Sequence, residues 1–147
     1  VLGGWVFNGI TTLMSGLPTH IGWSDTSSLN NAGDYGQRPN QVGNPLSGIP
    51  AGLWYNPAAF ANPTPYNYGN YDGVIIGPHF ASASWSLWKE FRIKESVALQ
   101  LRFESFNLFN STNKGNPDGT ANDSTAGLIT SIIVPMRQLQ FGAKMTW

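Results

Sequence analysis

Alternation with a period of two constrains this chain more than any other feature, because it demands strands with two unlike faces. In "VALQLRFESF" (97–106), Val97, Leu99, Leu101 and Phe103 fall on one side, and Ala98, Gln100, Arg102 and Glu104 on the other. The closing "RQLQFGAKMTW" (137–147) repeats the pattern, with Leu139, Phe141, Ala143, Met145 and Trp147 opposed to Gln138, Gln140, Gly142, Lys144 and Thr146. In "ASASWSLWKEFRI" (81–93), Ala83, Trp85, Leu87, Phe91 and Ile93 keep phase while Lys89 breaks it, which calls for a bulge or a snorkelling side chain. "GWVFNGITTLMSG" (4–16) aligns Trp5, Phe7, Thr11 and Leu13 with Gly9 among them. The expectation is an all-β chain without a defensible internal boundary: an antiparallel meander of about four long strands, near 4–16, 81–93, 97–109 and 137–147. Phe109 is expected to continue the third strand's apolar side, and "GLITSIIVP" (127–135) to extend a strand.

The connections are unequal. "KES" between the second and third strands suits a tight hairpin, whereas 17–80 and 110–136 are long and rich in Gly, Pro and Asn. Loops beyond about 12–15 residues are functional or disordered more often than not. Long strands with tight turns at one end and long loops at the other describe a transmembrane β-barrel, whose apolar face meets lipid and whose polar face lines the lumen. A soluble β-sandwich has the same alternation. Strand length, loop asymmetry and an apolar face that runs to the last residue favour the barrel. Gln100, Arg102 and Glu104 would then face the lumen and form ladders with Glu90 and Arg92 of the neighbouring strand.

Charge narrows the partners. Charged residues make up only 11% of the chain and cancel to a net charge of zero, so the basic stripe of a nucleic-acid binder is missing. The absence of Cys excludes disulfides, zinc–thiolate sites and Cys nucleophiles. No stretch approaches the roughly 18 continuous apolar residues of a membrane helix. The start at Val1, with no charged-then-apolar leader, reads as a piece of something longer or a mature product.

"LQLRFESFNLFN" (99–110) resembles a strand near the C-terminus of TonB-dependent outer-membrane receptors, in particular the Oar-like branch with carboxypeptidase-regulatory-like N-terminal domains. Further matching pieces occur in order: "SGLP" (15–18), "RPNQVGNP" (38–45), "WYNPAAFANP" (54–63), "YGN" (68–70), "SLWKEFRIKE" (86–95) and the closing "RQLQFGAKMTW". The resemblance implies the C-terminal segment of a plugged barrel of about 22 strands. It also implies that Phe141, Ala143, Met145 and Trp147 are the terminal-strand signal read by the insertion machinery. Localisation would be the bacterial outer membrane. The plug and the TonB-contacting segment are missing from these residues, so no substrate contact carries over. A sheet this small leaves two edges unpaired, and such edges recruit further strands. The expected partners are the rest of the parent barrel and outer-membrane lipid, or other copies of the chain joined edge to edge into a homo-oligomer or an extracellular filament.

Little in the sequence suggests chemistry, and no enzyme, cofactor or metal is expected. His20 and His79 are far apart and lack metal-binding spacing. "NPDGTANDSTAG" (116–127) offers Asp118, Thr120 and Asn122 at alternate positions, but Asp123 stands where a calcium loop of this kind needs Gly. "NST" (110–112) and "NDS" (122–124) are glycosylation sequons, relevant only in a eukaryotic secretory route. Trp54, Tyr55, Phe60, Tyr66, Tyr68 and Tyr71 of the long loop are candidates for stacking on sugars or joining subunits. They give the alternative function, a soluble glycan-binding β-sandwich. Trp5, Trp85 and Trp147 suit an interfacial belt.

Overall fold

A computed structural model of the chain describes residues 3–24 and 36–147; residues 25–35 of the expected 17–80 loop lie outside the described residues. The chain is all-β, with strands β1 (Trp5–Met14), β2 (Pro18–His20), β3 (Trp23–Ser24), β4 (Gly36–Gln37), β5 (Asn40–Gln41), β6 (Phe60–Ala61), β7 (Val74–Ile76), β8 (Phe80–Lys94), β9 (Val97–Phe106) and β10 (Gln138–Thr146). One short 3-10 helix, Pro57–Ala59, precedes β6. No helix among the described residues is long and apolar enough to cross a membrane, which says nothing about strands.

The residues group into two compact units. The first comprises 1–15, 79–113 and 132–147, and the second 16–78 and 114–131. The first unit is a 4-stranded antiparallel sheet in the order β1-β8-β9-β10. The four alternating stretches form its strands because period-two patterning commits each to a ladder with one apolar side. Lys94 pairs with Val97 across a two-residue turn of Glu95 and Ser96, the tight hairpin expected there.

Of the two alternatives at Lys89, the bulge is not found: the register shifts between Arg92 and Lys94, and Lys89 stays in the ladder, opposite Trp5 on β1 and Leu101 on β9. Two local expectations are corrected. β9 ends at Phe106, because Asn107 (φ 51°) and Asn110 (φ 53°) adopt left-handed backbone and break the alternation before Phe109. Residues 127–135 form no strand; the chain turns there instead.

The long connections supply the second unit. Three 2-stranded ladders, β2-β7, β3-β4 and β5-β6, surround a core of Ile21, Tyr55, Ala59, Phe60, Tyr71, Ile75 and Ala121, with Trp23 and Trp54 packed against it. Tyr55 and Phe60 meet edge-on at 6.0 Å, and Phe60 and Tyr71 at 4.9 Å. Asn56 caps the 3-10 helix, its side-chain oxygen accepting from the Ala58 N–H at 3.1 Å, and Pro57 supplies the fixed φ of the first turn. The two loop segments join through main-chain bonds, Trp54 N–H to Gly127 O at 2.8 Å, Gly22 N–H to Gly119 O at 2.8 Å and Ala121 N–H to Gly22 O at 2.9 Å. Gly127 has φ +75°, a conformation that disfavours any residue with a Cβ.

Candidate functional site

The candidate site is the four-stranded sheet itself, whose register lines up one apolar and one polar surface. On the apolar surface one row runs Phe7–Leu87–Phe103–Phe141, and the next Trp5–Lys89–Leu101–Ala143. Phe91, Leu99 and Met145 form a third row toward the Glu95–Ser96 turn. Phe103 and Phe141 touch across the β9–β10 ladder with ring centroids 5.0 Å apart. This surface is largely uncovered: Phe7 is 60% exposed, Leu13 75% and Phe141 78%. A sandwich would bury it beneath a second sheet.

Trp85 organises the centre of this surface. Its ring lies over Gly9, where an added Cβ would come within 2.4 Å of the Trp85 Cδ1. The Trp85 Nε1–H donates to Thr11 Oγ1 at 3.1 Å, and the rings of Phe7 and Phe109 pack edge-on at 5.3 and 5.9 Å. Gly9 thus provides the space that a bulky cross-strand partner needs. Lys89, 7% exposed, places its ammonium 4.8 Å from the Trp5 ring centroid and 5.2 Å from that of Phe91.

The polar surface carries Glu90, Arg92, Gln100, Arg102 and Glu104, joined by Gln140 and Lys144 of β10. Register sets Glu90 opposite Gln100, Ser86 opposite Glu104, Trp88 opposite Arg102 and Arg92 opposite Ala98. The ion pairs on this surface run along single strands, Arg102 to Glu104 at 3.5 Å and Arg92 to Glu90 at 3.9 Å. Pairs this exposed contribute about 0–1 kcal/mol each; what they provide is a hydrophilic surface.

The loop aromatics separate into two groups. Tyr55, Phe60 and Tyr71 are buried in the core of the second unit and offer no ring face at its surface. Trp54 is half-buried, its Nε1–H donating to Ile76 O at 2.8 Å. Tyr66 and Tyr68 are exposed. Burial pushes the Tyr55 hydroxyl up to about 12, aided by the nearby Asp118 charge, and the hydroxyl donates to Asp118 O at 2.9 Å. Burial also raises Tyr71.

The 116–127 loop uses its oxygens internally. Asp118 accepts from the Thr125 hydroxyl at 2.5 Å and from the Thr120 N–H at 2.9 Å, bonds that hold its carboxyl below the usual range. Asn122 pairs with the Ser24 backbone, accepting from its N–H at 2.8 Å and donating to its carbonyl at 2.6 Å. His20 lies on β2 and His79 just before β8.

Sequence reasoning missed an asparagine staple at the loop end of β9. Asn113, buried, accepts from Ala81 N–H at 2.7 Å and donates to Ala81 O at 2.9 Å. Asn107, also buried, accepts from Ser111 N–H at 2.9 Å and donates to Ser111 O at 3.1 Å and Pro135 O at 3.0 Å. Asn110, read only as a sequon, accepts from Arg137 N–H at 3.0 Å. The spacing of three in "NLFNSTN", directly after an apolar strand, was the available signal.

A sheet with an apolar surface opposite a largely polar one, and with two edges that have no neighbour among the described strands, is what a barrel wall requires, and the comparison with known families agrees. The family model for an outer membrane beta barrel domain matches residues 1–140. The chain belongs to that family. No curated protein and no solved structure matches it. Membership makes the chain part of an outer-membrane β-barrel, in a family whose role is structural.

Proposed function

We propose that the chain forms the C-terminal barrel segment of an Oar-like TonB-dependent outer-membrane receptor, with a structural and non-catalytic role. The observation that carries this reading is the common register of β1, β8, β9 and β10, which keeps an apolar surface continuous across the sheet and a polar one across β8, β9 and β10. The apolar surface meets lipid. The polar surface, with Glu90, Arg92, Gln100, Arg102 and Glu104, faces the lumen. β1 and β10 each lack a second neighbour among the described strands, so other strands of the parent barrel pair there. Phe141, Ala143 and Met145 on β10, followed by Trp147, serve as the assembly signal of that barrel.

Because the chain has no Cys, single cysteines report cleanly on each surface. In outer membranes, a charged thiol reagent is expected to label cysteines at Gln100, Arg102 and Glu104 and to spare those at Leu99, Leu101 and Phe103; equal labelling would falsify the wall assignment. The receptor identity is tested by reading the surrounding gene. A plug domain and a TonB-contacting segment upstream are expected, and a coding region holding only these residues and a signal peptide sinks it.

The uncovered β1 and β10 edges also favour a second behaviour. As an isolated chain, copies pair edge to edge into a homo-oligomer or filament. Electron microscopy of purified chain decides this; dispersed single particles overturn it.

A further inference from the structure

Gly142 is the one glycine of β10, and its surroundings give no backbone reason for it. β10 pairs with β9 without a bulge, Gly142 opposite Arg102. Its φ lies outside the left-handed region, and an added Cβ would touch only the Arg102 Cβ, at 3.8 Å, an ordinary contact. Gly9 differs, because the Trp85 ring fills the space above it. A glycine inside a regular strand with open space above it leaves room for a group that approaches from outside. On the polar surface that room is a recess of about 350 Å³, walled by Gln100, Arg102 and Glu104 of β9 and by Gln140 and Lys144 of β10. Register sets Lys144 opposite Gln100 and Gln140 opposite Glu104, so Gly142 lies at the centre of a ring of polar side chains. Two cations and one carboxylate line the recess; Arg102 and Glu104 lie 3.5 Å apart, so Lys144 carries the excess charge.

Resting on the barrel reading above, we propose that this recess is a lumen-side subsite for one acidic sugar, its carboxylate on the Lys144 ammonium and its hydroxyls on Gln100, Gln140 and Glu104. The hydrogen-bonding inventory selects this occupant. Lys144 only donates, Glu104 only accepts, and the two Gln amides do both, which matches a carboxylate beside hydroxyls that also do both. A bare anion would leave the Gln carbonyls and Glu104 facing like partial charge, and a neutral sugar would leave Lys144 without its counter-charge. An aromatic or aliphatic solute finds no large apolar side chain in the lining. The volume lies at the small end of the roughly 300–1,000 Å³ of small-molecule sites, room for about one ring. The recess lies midway along both strands, where a solute crossing the lumen meets it.

The test is isothermal titration calorimetry of the full protein in nanodiscs with glucuronate, glucose and sulfate. Glucuronate is expected to bind about tenfold tighter than glucose, the effect of one charge-assisted hydrogen bond, and tighter than sulfate. K144Q should bring glucuronate down to the glucose level, K144R should keep the preference, and K114Q in the loop unit should leave it unchanged. G142L fills the recess and spares every charge, so it should lose both sugars; its Cβ meets no close atom, which keeps the site testable should K144Q fail to assemble. Glucuronate no tighter than glucose, sulfate as tight as glucuronate, or an undiminished preference in K144Q or G142L overturns the site. Flotation on a density gradient separates the two claims. Membrane-borne protein without the sugar preference removes only this site, whereas protein that never floats with membranes removes the barrel reading as well.

Discussion

The two units of this protein reverse the usual link between regularity and self-sufficiency. The sheet of β1, β8, β9 and β10 is fully laddered, yet β10 is exposed along its whole length and the large apolar side chains Phe7, Leu13 and Phe141 find no cover. The loop unit has only fragments of strand, yet it closes an aromatic core around Tyr55, which is fully buried. Hydrogen-bonded regularity satisfies the backbone, but apolar side chains still need a medium. The sheet takes its medium from its surroundings, while the loop unit makes its own.

Four substitutions or titrations test that contrast. The largest effect is expected from Tyr55→Ala, which empties the loop core at about 3–5 kcal/mol. Limited proteolysis should then cut within 16–78 or 114–131 while the strands stay protected; joint loss of both units would show that the loop core supports the sheet as well.

Phe141→Arg should cost about 2–4 kcal/mol for a barrel folded in lipid, with the neighbouring Gln140→Arg near neutral. Urea unfolding of vesicle-reconstituted protein measures the difference, and equal penalties would mean that the two surfaces do not face different media.

Gly9→Val drives a side chain into the Trp85 ring and should cost about 1–3 kcal/mol, the range for overpacking. Its partial rescue by an accompanying Trp85→Leu, read from the same unfolding curves, would place the damage at that contact.

The smallest effect is a titration. The folded-state pKa of Tyr55 lies near 12, above its ordinary 10.0, so the folded state favours the protonated hydroxyl. That contribution is complete below pH 10.0 and is lost as pH rises toward about 12. Protease resistance of the loop unit should fall over this window, and Tyr55→Phe should flatten the profile at the cost of about 1 kcal/mol for the bond to Asp118 O.

Much of the sheet was legible because its signal is local. Val97, Leu99, Leu101 and Phe103 declare their side two residues at a time, and tight-turn chemistry at Glu95 and Ser96 fixes the β8–β9 pairing. Lys89 was left between two readings for the same reason. A charge out of phase calls locally for a bulge or a snorkelling side chain, and the Trp5 ring that accommodates it comes from a strand paired only in the fold. The loop unit was hardly legible. Tyr55, Phe60 and Tyr71 have no periodicity, and nothing in their spacing says that they meet one another rather than a partner. Asn107 and Asn113 were equally silent, since their partners, Pro135 O and the Ala81 backbone, lie far along the chain.

By itself, then, the sequence determined the strands, their two faces and the hairpin, because alternation and turn residues act through neighbours within a few positions. Tertiary structure alone decided that 16–78 and 114–131 fold as one unit, that Lys89 stays within an apolar row, and that the ion pairs run along strands rather than between them. Each of these depends on which distant residue arrives opposite, and that is set by register and long-range packing rather than by any local pattern.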